Sequence, residues 1–189
     1  MNGCSLVPDF DPNSCAQLVN RWIVGRVVSA TRQVDAALGE YRFNDAANAL
    51  YHFTWGEFCD WYLEFTKPIL AGADEAAKAE TRATTAWALG QLLHLLHPIM
   101  PFVTEELFEQ ACGDGKPLIS AAWPRHDGVN VDESAAAEMD WVIRLISEIR
   151  GVRSEMNVPP SAQLTMNAAS NSICTMSAPS SGARLTSPT

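Results

Sequence analysis

The apolar residues Ile23, Val27, Ala30, Val34 and Leu38 recur at spacings of four, three, four and four. That interval puts all five on one face of a helix and excludes the strict alternation of a half-buried strand. A stripe of this kind must be buried against other elements, and the rest of the chain supplies matching ones. Asn13 or Ser14 is suited to cap this first helix, running from Ser14 to Leu38, and Gly39 to end it. A second helix is expected from an N-cap at Asn44, with Asp45 in its first turn, to Lys67 and Pro68. Its buried stripe is Leu50, Phe53, Trp61 and Phe65, with Phe58 beside it. Ala71 to Ala79 reads as a connection to a third helix bearing Trp87, Leu89, Leu92, Leu93 and Leu96. Pro98 and Pro101 break that pattern, and Pro101 opens a short helix through Phe102, Leu107 and Phe108 that ends near Gly113. Residues 114–132, rich in Gly and Pro, predict a crossing loop with a short extended piece at Leu118 and Ile119. Ser134 is the candidate cap of a last long helix with an apolar face of Trp141, Leu145, Ile149 and Val152. Four long helices predict an all-α, antiparallel helix bundle.

With 189 residues, 47% of them hydrophobic, the chain has material for one core of useful size. The expected organisation is an N-terminal extension over 1–13, a helical domain over 14–158 and a disordered polar tail over 159–189, where Ser, Ala and Thr dominate without periodicity. LLHLLHPIM, at Leu92 to Met100, is broken by two His and a Pro, so no run is long enough to span a bilayer. The amino terminus lacks the basic and apolar regions of a secretory signal, which makes a cytoplasmic location the expectation. Five widely spaced Cys with no C-x-x-C pair are read as reduced thiols.

Catalytic patterns are scarce. His94-x-x-His97 has metal-compatible spacing but no third or fourth ligand at a sensible interval, which favours a core or helix-end histidine pair. Glu57, Asp60 and Glu64, and the pair Glu105 and Glu106, lack the facing Glu-x-x-His of a bundle di-metal site and read as solvated faces. Phosphate-cradling glycine motifs and the G-x-S-x-G elbow are absent. No catalytic residue, resident metal or cofactor is expected in this chain.

A net charge of −9 argues against a general nucleic-acid binder, and DNA is not an expected partner. The charge is unevenly spread, however. Between Pro12 and Arg42 stand Arg21, Arg26, Arg32 and Arg42 against only Asp35 and Glu40. Arg21 and Arg32 fall within about 20° of each other opposite the first apolar stripe, and Arg26 lies at its margin.

The segments YRFNDAANALYHFTWGEFCDWYLEFTKP (Tyr41 to Pro68) and HPIMPFVTEELFEQ (His97 to Gln110) resemble the helical anticodon-binding domain that follows the catalytic core of class I synthetases for branched aliphatic amino acids. FCDWYLE is similar to the valyl-tRNA synthetase family in particular. SAAWP at Ser120 to Pro124 and the run from Arg144 to Pro160 add agreement, so the resemblance extends from about Asn20 to Pro160. The catalytic signatures His-Ile-Gly-His and Lys-Met-Ser-Lys-Ser are absent, so the chain alone is not expected to activate an amino acid. The resemblance implies a valine-accepting tRNA and the catalytic domain of the same synthetase as partners, with ATP and valine bound by that catalytic domain. It also implies that NRWIVGR (Asn20 to Arg26) and YRFN (Tyr41 to Asn44) lie in the bundle that grips the anticodon stem and loop. Phe43 and Arg42 are the first tRNA-binding candidates, because unstacked bases stack on aromatic rings and arginines hold phosphates. Arg21, Arg26 and Arg32 come second. Phe43 fits equally well as a hydrophobic staple, and Arg21 and Arg32 as a solvated face. A second reading of the whole chain is a helical protein-interaction module with no RNA role, docking through exposed apolar surface.

Overall fold

A computed structural model describes residues 10–112, 116–159, 165–167 and 175–177. The chain divides into two compact units, Met1–Ile143 and Arg144–Thr189, each described by itself.

The first unit is the expected helical bundle. Helix α1, Leu18–Gly39, runs through its centre and buries Ile23, Val27, Ala30 and Val34 of the predicted stripe, with Leu38 partly buried against them. It starts four residues later than expected. Pro12–Ser14 forms a separate 3-10 turn capped by Asp11, and Asn13 instead pins the later crossing loop, donating to Gly128 O at 3.1 Å and accepting from Asn130 N at 2.8 Å. The first turn of α1 is capped from a distant helix, since Glu80 accepts from Gln17 N at 2.9 Å. A partner 63 residues away leaves no local signal in sequence.

The next helical run extends from Phe43 to Ala71 as α2 (Phe43–Tyr51), a π-helical segment (His52–Tyr62) and α3 (Leu63–Ala71), with Pro68 inside α3. In the π segment, hydrogen bonding from residue i+5 to residue i delays the helical phase. Phe53 and Phe58, five apart, therefore both face the core, their ring centroids 6.4 Å apart, and Tyr62 follows at 5.7 Å from Phe58. The expected α-helical stripe is corrected accordingly. Leu50, Phe53, Phe58 and Tyr62 are buried, whereas Trp61 and Phe65 form a partly buried stacked pair at the edge.

Helix α4, Glu75–Leu96, begins within the predicted connection because Asp74 accepts from Ala76 N and Ala77 N at 3.0 and 3.1 Å. Helix α5, Pro101–Cys112, opens at Pro101 as predicted; Gly113 lies outside the described residues. The predicted extended piece at Leu118 and Ile119 is a 3-10 turn, Leu118–Ser120. Glu105 of α5 holds it by accepting from Leu118 N at 2.7 Å, and Leu118 packs with Leu93 and Phe108.

A buried polar network ties α1 to the π segment and α4. Asn20 donates to Glu80 Oε1 at 2.9 Å and Thr81 Oγ1 at 3.1 Å, and accepts from Tyr62 OH at 3.1 Å. Helix α6 spans Glu133–Glu155, with Asp132, not Ser134, accepting from Ala135 N at 2.9 Å. Its buried residues are Ala135 and Met139, with Ile143 packed against the core, while Trp141 of the predicted face is 58% exposed. The predicted face of Trp141, Leu145, Ile149 and Val152 is therefore corrected, because the tertiary partner takes the side of the helix bearing Ala135, Met139 and Ile143.

In the second unit the chain leaves α6 through Asn157, in the left-handed conformation (φ 52°), a residue type that tolerates it. In the segment expected as a disordered tail, β1 (Thr165–Asn167) pairs antiparallel with β2 (Thr175–Ser177), Met166 opposite Met176. Residues 1–9 of the expected N-terminal extension and residues 160–164, 168–174 and 178–189 of the expected tail lie outside the described residues.

Candidate nucleic-acid interface

The five candidate residues fall into two places, the three-residue turn between α1 and α2 and the flank of α1. By helical rise, Arg26 is about 20 Å from the end of α1 and Arg32 about 10 Å, so of the flank residues Arg32 lies nearest the turn.

At the turn, α1 ends at Gly39 as expected, and two residues on Tyr41, with a φ of 57°, provides the left-handed reversal that a glycine usually supplies. Arg42 N donates to Ala37 O at 2.8 Å and Tyr41 N to Leu38 O at 3.0 Å, closing the helix end. The Arg42 guanidinium bridges Glu40 at 2.7 Å and Asp45 at 2.6 Å. Phe43, the first residue of α2, is 62% exposed and stands edge-on to Tyr41 with centroids 6.5 Å apart. A hydrophobic staple would have been buried, so the exposed ring departs from that alternative. Tyr41 was missed by sequence reasoning because Gly39 offered the conventional stop; its aromatic type beside Phe43 was the available signal.

Along α1 the arginines differ. Arg21 pairs with Asp132 at 3.3 Å, and Arg26 pairs with Asp140 and with Glu57 at 3.6 Å while lying 5.8 Å from the Trp22 ring centroid. Expected to face solvent or a partner, Arg21 is thus engaged by the cap of α6, and Arg26 by α6 and the π segment. Burial pushes the Glu57 carboxyl above its ordinary pKa; Arg26 opposes that and Asp140 reinforces it. Arg32 is exposed and, among the described residues, holds no ion pair.

Arg32 also lines a cavity of about 460 Å³ between α1 and the crossing loop, with Thr31, Asp35, Trp123, Arg125 and His126. Trp123 donates its indole N–H to Asp35 at 2.6 Å, and His126 lies edge-on to Trp87 with centroids 5.7 Å apart. Burial lowers the His126 pKa, Asp35 and Asp127 oppose the shift, and Arg32 adds to it, so the site favours the neutral imidazole. The loop approaches α1 closely enough that a Cβ at Gly25 would sit 3.2 Å from the Val131 side chain. Gly25 therefore answers a packing need.

The features read as possible catalytic groups have structural contacts. His94 Nδ1 meets Gly90 O at 2.7 Å, His97 Nδ1 meets Thr104 Oγ1 at 2.9 Å, and Glu64 pairs with Lys67 at 2.5 Å. Cys15 and Cys59 are free thiols, while Cys4 and Cys174 lie outside the described residues. No helix among the described residues is long and apolar enough to cross a membrane.

Residues 20–168 match the family model described as the anticodon-binding domain of tRNA ligase. The chain is 52% identical over 167 residues to a valine–tRNA ligase of Caulobacter vibrioides. It is 51% identical over 166 residues to one of Brucella suis and 43% over 164 to one of Rhizorhabdus wittichii. Each of these alignments covers 86% of this chain and 18% of the relative, so the chain spans less than a fifth of the length of the curated relatives it matches. With the match running through the whole bundle from α1 to α6, the chain belongs to the anticodon-binding domain family of tRNA ligases, in the form carried by valine–tRNA ligases.

Proposed function

We propose that this chain binds the anticodon arm of a valine-accepting tRNA and, joined to the catalytic domain of a valine–tRNA ligase, contributes to the ATP-dependent attachment of valine in the cytoplasm. ATP and valine belong to that catalytic domain, and this chain supplies RNA recognition. The observation that carries the reading is the family match across residues 20–168. The exposed Phe43 ring supports it, because a base unstacked from a loop finds a π-face there. Arg32 supports it as a cation with no internal carboxylate partner among the described residues. Family membership does not favour an interaction module with no RNA role.

With a net charge of −9 repelling phosphate, binding by this chain alone is weak and strongly salt-dependent. The test is fluorescence anisotropy at several salt concentrations with a valine tRNA, its anticodon-substituted variant and an isoleucine tRNA. Replacing the anticodon weakens binding by roughly tenfold or more, the loss of one good base contact. Equal affinity for all three RNAs at moderate salt sinks the proposal.

A further inference from the structure

We infer that Tyr41 is a second nucleobase-stacking residue beside Phe43, and that Arg42 is a positioning residue that holds Tyr41 in place without itself contacting phosphate. This rests on the reading of the chain as a tRNA-binding domain and names the chemistry of its α1–α2 turn.

Three observations converge on this turn. First, Tyr41 adopts φ 57°, a conformation strained for a residue with a Cβ, although Gly39 stands two positions earlier with open space around its Cα. A chain selected only for a stable helix end would place its glycine at the left-handed position. Instead α1 ends on Gly39 and the left-handed position falls on a tyrosine that is 80% exposed, so little packing offsets the strain. Conflict between local preference and adopted structure is characteristic of functional sites.

Second, the strained backbone sets the ring geometry. Tyr41 and Phe43 lie with their planes 73° apart and centroids separated by 6.5 Å. A base laid on the face of one ring meets the edge of the other, the arrangement aromatic quadrupoles favour. Two rings at this angle hold a planar ligand in one orientation, which a single exposed ring does not.

Third, the charge around the turn selects a base over a phosphate. Arg42 lies between Glu40 at 2.7 Å and Asp45 at 2.6 Å, so the local set is one cation against two anions. A phosphate placed there meets net negative charge, whereas a neutral base does not. The same two contacts link the residue before Tyr41 to the first turn of α2, bracing the left-handed residue from both sides.

The experiment uses the full chain with Tyr41→Gly, Tyr41→Phe and Phe43→Ala, measuring the anisotropy of a valine tRNA and of its anticodon-substituted variant together with thermal unfolding. Tyr41→Gly is expected to weaken tRNA binding about fivefold or more, within the range of one lost stacking contact. Its Tm stays level or rises, because glycine adopts the left-handed conformation freely. Tyr41→Phe keeps both properties, with affinity within about twofold of the parent chain. Parent-like affinity in Tyr41→Gly overturns the inference. So does a fall in Tm of more than about 4 °C alongside lost binding, since the ring would then serve the fold. If Phe43→Ala weakens binding and Tyr41→Gly does not, only the Tyr41 assignment fails. If neither variant nor the anticodon substitution changes binding, the tRNA reading itself fails.

Discussion

Replacing Asn20 with leucine tests what holds α1 against the π segment and α4. Asn20 is completely buried and makes three hydrogen bonds, to Glu80, Thr81 and Tyr62. Leucine has the same number of side-chain heavy atoms in the same branching and somewhat bulkier ends, so the substitution removes polar partners without opening a cavity. Tyr62 OH keeps Thr85 at 3.0 Å and Glu80 keeps Gln17 N at 2.9 Å, which limits their loss. Thr81 Oγ1, fully buried, loses the Asn20 donor. A buried polar group deprived of its partner costs about 1–3 kcal/mol. One such loss with two weakened contacts sums to about 3 kcal/mol, or a Tm lower by roughly 6–12 °C for a domain of this size. Thermal and urea unfolding followed by circular dichroism at pH 7 measure the change. A double-mutant cycle with Tyr62→Phe isolates the coupling, expected at about 0.5–3 kcal/mol for groups in one network. A loss below about 0.5 kcal/mol, or strict additivity with Tyr62→Phe, would refute the assignment of a structural role to this network.

Two further outcomes follow from the electrostatics. Because burial raises the Glu57 pKa, its contribution to stability is fully present below the ordinary carboxylate range and is lost as pH rises through the elevated value. Glu57→Gln removes that dependence, so its stability relative to the parent improves between pH 4 and 7 in urea titrations; parallel pH profiles would contradict the sign. Arg32→Ala is expected to reduce the slope of log affinity against log salt by about 0.7–0.9, one phosphate contact, while Arg21→Ala leaves that slope unchanged because Arg21 is engaged by Asp132.

The bundle was legible in the chain because its stripes are long and regular. Ile23 to Leu38 places α1 without ambiguity, and Pro101 marks the start of α5. Errors cluster where distance in sequence separates cause and effect. The cap of α1 comes from Glu80, and the arginine partners Asp132 and Asp140 lie more than a hundred residues from Arg21 and Arg26. Other misses were local and readable. Asp74 and Asp132 are good N-cap residues, the first inside the predicted connection and the second two positions before the predicted cap. The five-residue interval from Phe53 to Phe58 signalled a wider helix that a fixed 100° advance could not represent. For the site, residue type pointed to Phe43, but exposure and pairing decide function, and neither is written in a single sequence. Structure alone distinguishes the free Arg32 from Arg21, Arg26 and Arg42.

The wide helical turns between His52 and Tyr62 also govern how this domain tolerates changes in length. A ladder bonded from i+5 to i stores more residues per turn than one bonded from i+4, so an ordinary α-helix would join the same two ends with about two residues fewer. Deleting one or two residues there would tighten the coil and turn Phe58 and Tyr62 away from the face they share with Phe53. The extra residues of this segment therefore set the register of the core, because they are what bring three aromatic rings from one helical run onto the same buried face.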